Sequence, residues 1–170
     1  MISLKQIHIR TATKADIPDL MDLQNSYVKA GFIGMLKDRP FELEERKQWF
    51  SQFSETTPYQ LHVATDGDKL FGYTASFQYR GGGVFSKTIE TSIYSSLENA
   101  SKGTGSLLYE SLFQNLSNFD LHLAVVGIAL PNDRSISLHR KFGFEDVGIF
   151  KEYAYFKGSY VSSLWMQKQL

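Results

Sequence analysis

Cysteine is absent from the 170 residues, so the chain has no disulfide framework, no thiolate nucleophile and no zinc site built on sulfur. Net charge is missing too. The 18 basic and 18 acidic side chains sum to +0, and the basic ones are scattered, which argues against nucleic acid or an anionic membrane surface as a partner. The histidines, His8, His62, His122 and His139, lie far apart with no paired ligand spacing, so no metal is expected. Nowhere do about 18 apolar residues run together, and no basic N-terminal region leads into an apolar stretch. A cytoplasmic protein without a membrane partner is the expectation. No repeat, low-complexity tract or linker interrupts the chain, which predicts one domain over residues 1–170.

What is present is organised around residues 88–116. Thr88-Ile89-Glu90-Thr91-Ser92-Ile93-Tyr94 alternates as a strand, and Ser101-Lys102-Gly103-Thr104-Gly105-Ser106 opens a helix with Leu108, Leu112 and Leu116 on one stripe. Two glycines one residue apart let backbone approach an anion, the first N–H groups of the helix are unpaired, and Lys102 adds charge, which together suggest a phosphate site. An ordinary turn uses the same glycines, so this stretch does not decide alone. It lacks the Gly-Lys-Ser/Thr ending of a P-loop and the third glycine of a dinucleotide fold.

Before it, Ile7-His8-Ile9-Arg10 reads as a strand. Thr13-Lys14-Ala15-Asp16 reads as a capping box opening a helix that Gly31 stops, and Pro40 as the first turn of a second helix that Pro58 closes. Residues 59–64 and 70–79 form a hairpin, and Gly81-Gly82-Gly83 a loop expected near the active site or serving as a plain linker. After it, residues 121–129 form a central buried strand, Pro131-Asn132-Asp133 caps a short helix ending at Gly143, and residues 146–168 close as a hairpin at Gly158-Ser159. This order predicts an α+β fold with helices on both faces of the sheet.

Three segments carry a resemblance to the GCN5-related N-acetyltransferase (GNAT) family: Ile9-Arg10-Thr11-Ala12-Thr13-Lys14-Ala15-Asp16, the Thr88–Tyr94 strand, and Leu130-Pro131-Asn132-Asp133-Arg134-Ser135-Ile136-Ser137-Leu138-His139-Arg140-Lys141-Phe142-Gly143-Phe144. Within the family the chain looks closest to the phosphinothricin and methionine sulfoximine acetyltransferase branch. The resemblance implies a mixed, mostly antiparallel sheet with splayed strands, acetyl-CoA as donor, no metal, and a primary amine of a small molecule as acceptor. A peptide amine, or a module that binds acyl-CoA without catalysis, stands as the alternative. Homodimers are common in similar proteins.

The resemblance also assigns roles. Ile93, Tyr94 and Ser95 would pair with the pantetheine arm, and Ser101, Lys102, Gly103, Thr104, Gly105 and Ser106 would hold the pyrophosphate. Asn132 and Ser135 match cofactor contacts, although capping alone explains both residue types. Ala100 stands where the family usually has Arg or Gln, with Glu98 just upstream, so donor binding is expected to be either weaker than typical or absent. Glu90 is the expected base for the attacking ammonium, a role that contributes about 10²- to 10⁴-fold in comparable sites, and its alternative is a strand glutamate in solvent or paired with Lys87. His139 takes the place of a tyrosine that protonates the departing thiolate. It either gives that proton or caps and packs its helix, and Tyr94 is the alternative acid. Tyr160 and Ser162 stand near positions where the branch carries Trp and Asp, and Arg80 is either a carboxylate clamp or an exposed strand-end residue.

Overall fold

The computed structural model describes residues 7–32, 37–98 and 102–170. Its first strand, β1 (His8–Thr11), leads through a 3-10 turn at Lys14–Asp16 into α1 (Ile17–Lys29). The Asp16 carboxylate accepts from the Thr13 backbone N–H at 2.7 Å, as the capping pattern predicts, and also takes both ends of the Arg10 guanidinium at 2.7 Å. The helix ends as the sequence predicts, at Gly31 with φ +74°. There the Gly31 N–H reaches the Val28 carbonyl, the Phe32 N–H reaches that of Tyr27, and the Tyr27 and Phe32 rings meet edge to face at 5.2 Å.

The second helix, α2 (Leu43–Phe50), departs from expectation at both ends. Glu42 takes the N-cap, its N–H held by the Glu45 carboxylate at 2.8 Å, while Lys37 and Arg39 clamp that carboxylate from outside. These contacts hold the Glu45 carboxyl down to about 2. Pro40 therefore precedes the helix, and turns rather than helix fill the way to Pro58.

The remaining strands and helices follow in the predicted order: β2 (Leu61–Asp66), β3 (Lys69–Gln78), β4 (Thr88–Ser95), α3 (Thr104–Leu116), β5 (Leu123–Ala129), α4 (Asp133–Lys141), β6 (Glu145–Phe156) and β7 (Ser159–Gln169). Among the described residues they build one seven-stranded sheet in the order β1-β2-β3-β4-β5-β7-β6, antiparallel except at β4–β5. Alternation sends side chains to opposite faces, and a register shift between β2 and β3 at Ala64/Thr65 turns Phe71 away from the face of Tyr73 and Ala75. Leu61, Val63, Tyr73 and Ala75 pack under Leu20, Leu23 and Tyr27 of α1, while Ala64 and Phe71 pack against Leu108 of α3. The largest cluster joins Tyr109, Leu112 and Leu116 of α3 to Ala124, Val126 and Ile128 of β5 and Leu164 and Met166 of β7. Full burial of each such leucine stabilises by about 1.5–3 kcal/mol.

Strand β6 is different. Val147, Ile149, Phe150, Tyr153 and Tyr155 all stay exposed on it, as does Tyr160 on β7. Its pairing with β7 breaks between Phe150 and Ala154, where Glu152 takes φ +53° and its N–H binds the Ser162 hydroxyl at 3.0 Å.

Candidate active site

The parallel junction makes the site. Strands β4 and β5 pair only at Thr88–Leu123, Ile89–Ala124 and Glu90–Val125, then separate. Beyond Glu90, β4 stays bonded to β3 as far as Ser95, so its other edge presents N–H and C=O groups that β5 does not reach. A cleft of about 400 Å³ opens in this gap. Tyr27 and Phe32 wall it on the α1 side, residues 91–95 and 126–129 line its flanks, and Gly103, Gly105, Ser106 and the first turns of α4 complete it.

Sequence and geometry meet at most of these positions. Ile93, Tyr94, Ser95, Gly103, Gly105, Ser106, Asn132, Ser135 and His139 all line the cleft. Gly103 caps α3 in the left-handed region, φ +99°, which a side chain would strain. At Gly105 an added Cβ would stand 3.0 Å from Leu138, so the bare backbone lets α3 and α4 approach closely. Lys102 borders the cleft without lining it, and Thr104 is fully buried in the fold. Ser101, with Asn99 and Ala100, lies outside the described residues. The Asn132 side chain accepts from the Ser135 N–H at 3.2 Å, so it caps α4 as well as facing the cleft. Gly81, Gly82 and Gly83 do not line the cleft, and Arg80 is exposed, its guanidinium over Tyr79 and Phe85 at the end of β3. Tyr160 is 65% exposed near the hairpin tip.

Tyr94 is held between two rings, edge to face with Tyr27 at 5.2 Å and stacked on Tyr73 at 5.5 Å. Burial raises its pKa, with the Tyr27, Glu90 and Tyr153 groups adding in the same direction, so it stays protonated. Tyr27 in turn donates its hydroxyl to the Ser95 carbonyl at 2.6 Å and anchors the end of β4 to α1.

Glu90 precedes the open stretch of β4, on the strand face that carries Ser92 and Tyr94. It is partly buried, and among the described residues its carboxylate makes no hydrogen bond or ion pair. Lys87 pairs with Asp120 instead. Desolvation raises the Glu90 carboxyl above its ordinary range, which makes it a better proton acceptor near neutral pH.

His139 has the opposite circumstances. It is 1% exposed, its Nδ1 lies 2.7 Å from the Ser135 carbonyl and its Nε2 lies 2.7 Å from the Tyr109 hydroxyl. A carbonyl can only accept, so Nδ1 carries the proton and Nε2 accepts from Tyr109. Tyr109 also meets the Thr91 hydroxyl at 3.3 Å, which completes a buried chain from β4 through α3 to α4. Burial lowers the His139 pKa and keeps the ring neutral. With both nitrogens engaged, His139 offers no free proton to the cleft. Of its two expected roles, these bonds are the ones that packing uses. Tyr109, Thr91 and Tyr27 were not singled out by sequence reasoning. The trace that Tyr109 left was an aromatic residue directly after Leu108 on the buried stripe of α3.

A cleft between splayed parallel strands, entered by the glycine-led end of α3, defines a class of acyl-transfer proteins. The acetyltransferase (GNAT) domain profile matches residues 9–165, and the chain belongs to this family, as an acetyl-CoA-dependent N-acetyltransferase. Over 167 residues, 97% of each chain, it is 38% identical to phosphinothricin N-acetyltransferase of Streptomyces coelicolor. A solved phosphinothricin acetyltransferase from Sinorhizobium meliloti in complex with acetyl-CoA superposes with TM-score 0.88 at 25% identity, covering 97% of this chain and 89% of that one. The ribosomal-protein-alanine N-acetyltransferase of Brucella melitensis superposes with TM-score 0.89 at 29% identity over 96% and 99%.

Proposed function

We propose that the cleft takes acetyl-CoA and that the enzyme acetylates the primary amine of a small molecule, an amino acid or an analogue of one. The observation that carries this reading is the unpartnered, desolvated Glu90 at the point where β4 loses its parallel neighbour. The cleft's shape fits the donor: an extended arm can add to the free edge of β4 as a strand would, and the N–H groups around Gly103 and Gly105 suit its phosphates. When bound, the thioester supplies an acetyl carbonyl activated toward nucleophiles. Glu90 accepts the ammonium proton, directly or through water, and so frees the nitrogen lone pair. Tyr94, protonated at neutral pH, is the hydroxyl on the cleft wall that returns a proton to the departing sulfur. His139 holds α4 against α3 and keeps the second wall in place.

The Streptomyces coelicolor relative supports an amino-acid analogue as acceptor, whereas the Brucella structure is that of an enzyme named for a protein amine. No carboxylate lines the cleft among the described residues, so no acidic groove favours a peptide. The bare apolar surface of β6 supports a homodimer, which sedimentation would detect as a mass twice that of the chain. The absence of cysteine makes the decisive assay clean, because every thiol released from acetyl-CoA must come from CoA. The panel comprises phosphinothricin, methionine sulfoximine, amino acids, polyamines and short peptides. Release with the amino-acid group is expected. Release with peptides alone would replace this reading with the protein-directed one, and binding without release would leave a non-catalytic module.

A further inference from the structure

Arg134 is the second residue of α4, and it is the only formally charged side chain among the described residues that line the cleft. It is exposed and makes no hydrogen bond or ion pair among those residues, although Asp133 adjoins it in sequence. The nearby Lys141 is already committed, donating to the Ser106 hydroxyl at 2.8 Å. Burial raises the Tyr27 phenol's pKa on α1, and the positive charge of Arg134 is close enough to temper that rise.

We infer that Arg134 grips a phosphate of the CoA donor from the α4 side of the cleft, facing the backbone amides around Gly103 and Gly105. The guanidinium fork suits a phosphate better than any neutral group in the cleft does, because it offers two parallel donors together with a full charge. In a chain with Ala100 and Glu98 ahead of the glycine loop, Arg134 supplies positive charge from the other wall. This inference rests on the reading that the donor occupies this cleft.

Calorimetric titration of the purified protein with CoA and with 3′-dephospho-CoA tests it, using wild type, Arg134→Ala and Arg134→Lys. The expected result is a Kd for CoA at least about tenfold weaker in Arg134→Ala and partly recovered in Arg134→Lys, which keeps the charge but loses the fork. An equal loss with 3′-dephospho-CoA assigns the grip to the pyrophosphate. A loss confined to CoA assigns it to the 3′-phosphate. Transfer from S-acetylpantetheine, which carries no phosphate at all, should be the same in all three proteins. An unchanged Kd for CoA in Arg134→Ala would overturn the inference, as would an equal loss with S-acetylpantetheine. Failure of wild type to bind CoA would instead overturn the underlying reading of the cleft.

Discussion

Two partly or fully buried titratable side chains stand beside the cleft, Glu90 just before the open stretch of β4 and His139 on α4, and their environments are opposites. On β4, Glu90 is desolvated and unpartnered, so burial raises its pKa and the folded protein carries an uncompensated cost at neutral pH. On α4, His139 is more deeply buried, yet both ring nitrogens are bonded and the neutral form satisfies them. A desolvated group without a partner is a candidate for chemistry, and a fully bonded one is what packing alone produces. Burial alone does not separate the two residues, whereas their bonding does.

The sharpest way to break this contrast is Glu90→Gln. Turnover should fall at least about tenfold and the acid limb of the pH–rate profile should disappear, while CoA affinity is retained. Because the substitution removes a desolvated charge, the melting temperature at neutral pH should stay the same or rise. Wild-type kinetics in this variant would remove Glu90 from catalysis, and a large fall in melting temperature would mean that the carboxylate is structural after all.

Tyr109→Phe tests the other side. It takes the donor from His139 Nε2 and leaves that nitrogen buried without a partner, at a cost of about 1–3 kcal/mol in stability. Denaturant unfolding should show that loss, with turnover changed by only a few fold. A turnover loss as large as that of Glu90→Gln, with stability intact, would place the Tyr109–His139 pair in the chemistry.

The smallest expected effect is a pH dependence of stability. Burial lowers the pKa of both His139 and His62, so near their unfolded value of about 6.5 the unfolded chain binds more protons than the folded one. Their contribution is therefore complete above that pH and declines as the pH falls below it toward the lowered folded values. Glu90 has the opposite sign, since its raised pKa favours the folded state on the acid side. Denaturation midpoints measured across this range in wild type and Glu90→Gln should separate the two trends, and a flat profile in both would contradict them.

The sequence made the scaffold readable wherever a local signal determined local structure. Gly31 ended α1 because only a residue tolerant of positive φ closes that turn, and the alternation of residues 88–94 located β4 without any tertiary information. The Pro40 error has a local cause as well. Glu is an unusual N-cap, so the Glu42–Glu45 capping pair did not outweigh a proline that commonly starts helices. The His139 environment could not be read, because its partner Tyr109 lies 30 residues upstream and the basic Arg140 and Lys141 beside it suggest a solvated helix. The strand β6 was legible but its exposure was not, since Ile149, Phe150 and Tyr155 look in sequence like core residues of any strand.

The three-residue junction between β4 and β5 has a mechanical meaning beyond the cleft it creates. It divides the sheet into two plates, β1 to β4 and β5 to β7, joined along a short seam. Behind the seam, α3 and α4 are joined by the Tyr109–His139 bond and the close seat of Gly105 against Leu138. A ligand strand laid into the open part of the gap would bolt the plates together along the length where they now share no bonds. The same molecule that brings the acetyl group would then also serve as a brace, and the empty enzyme would be the looser of its two states.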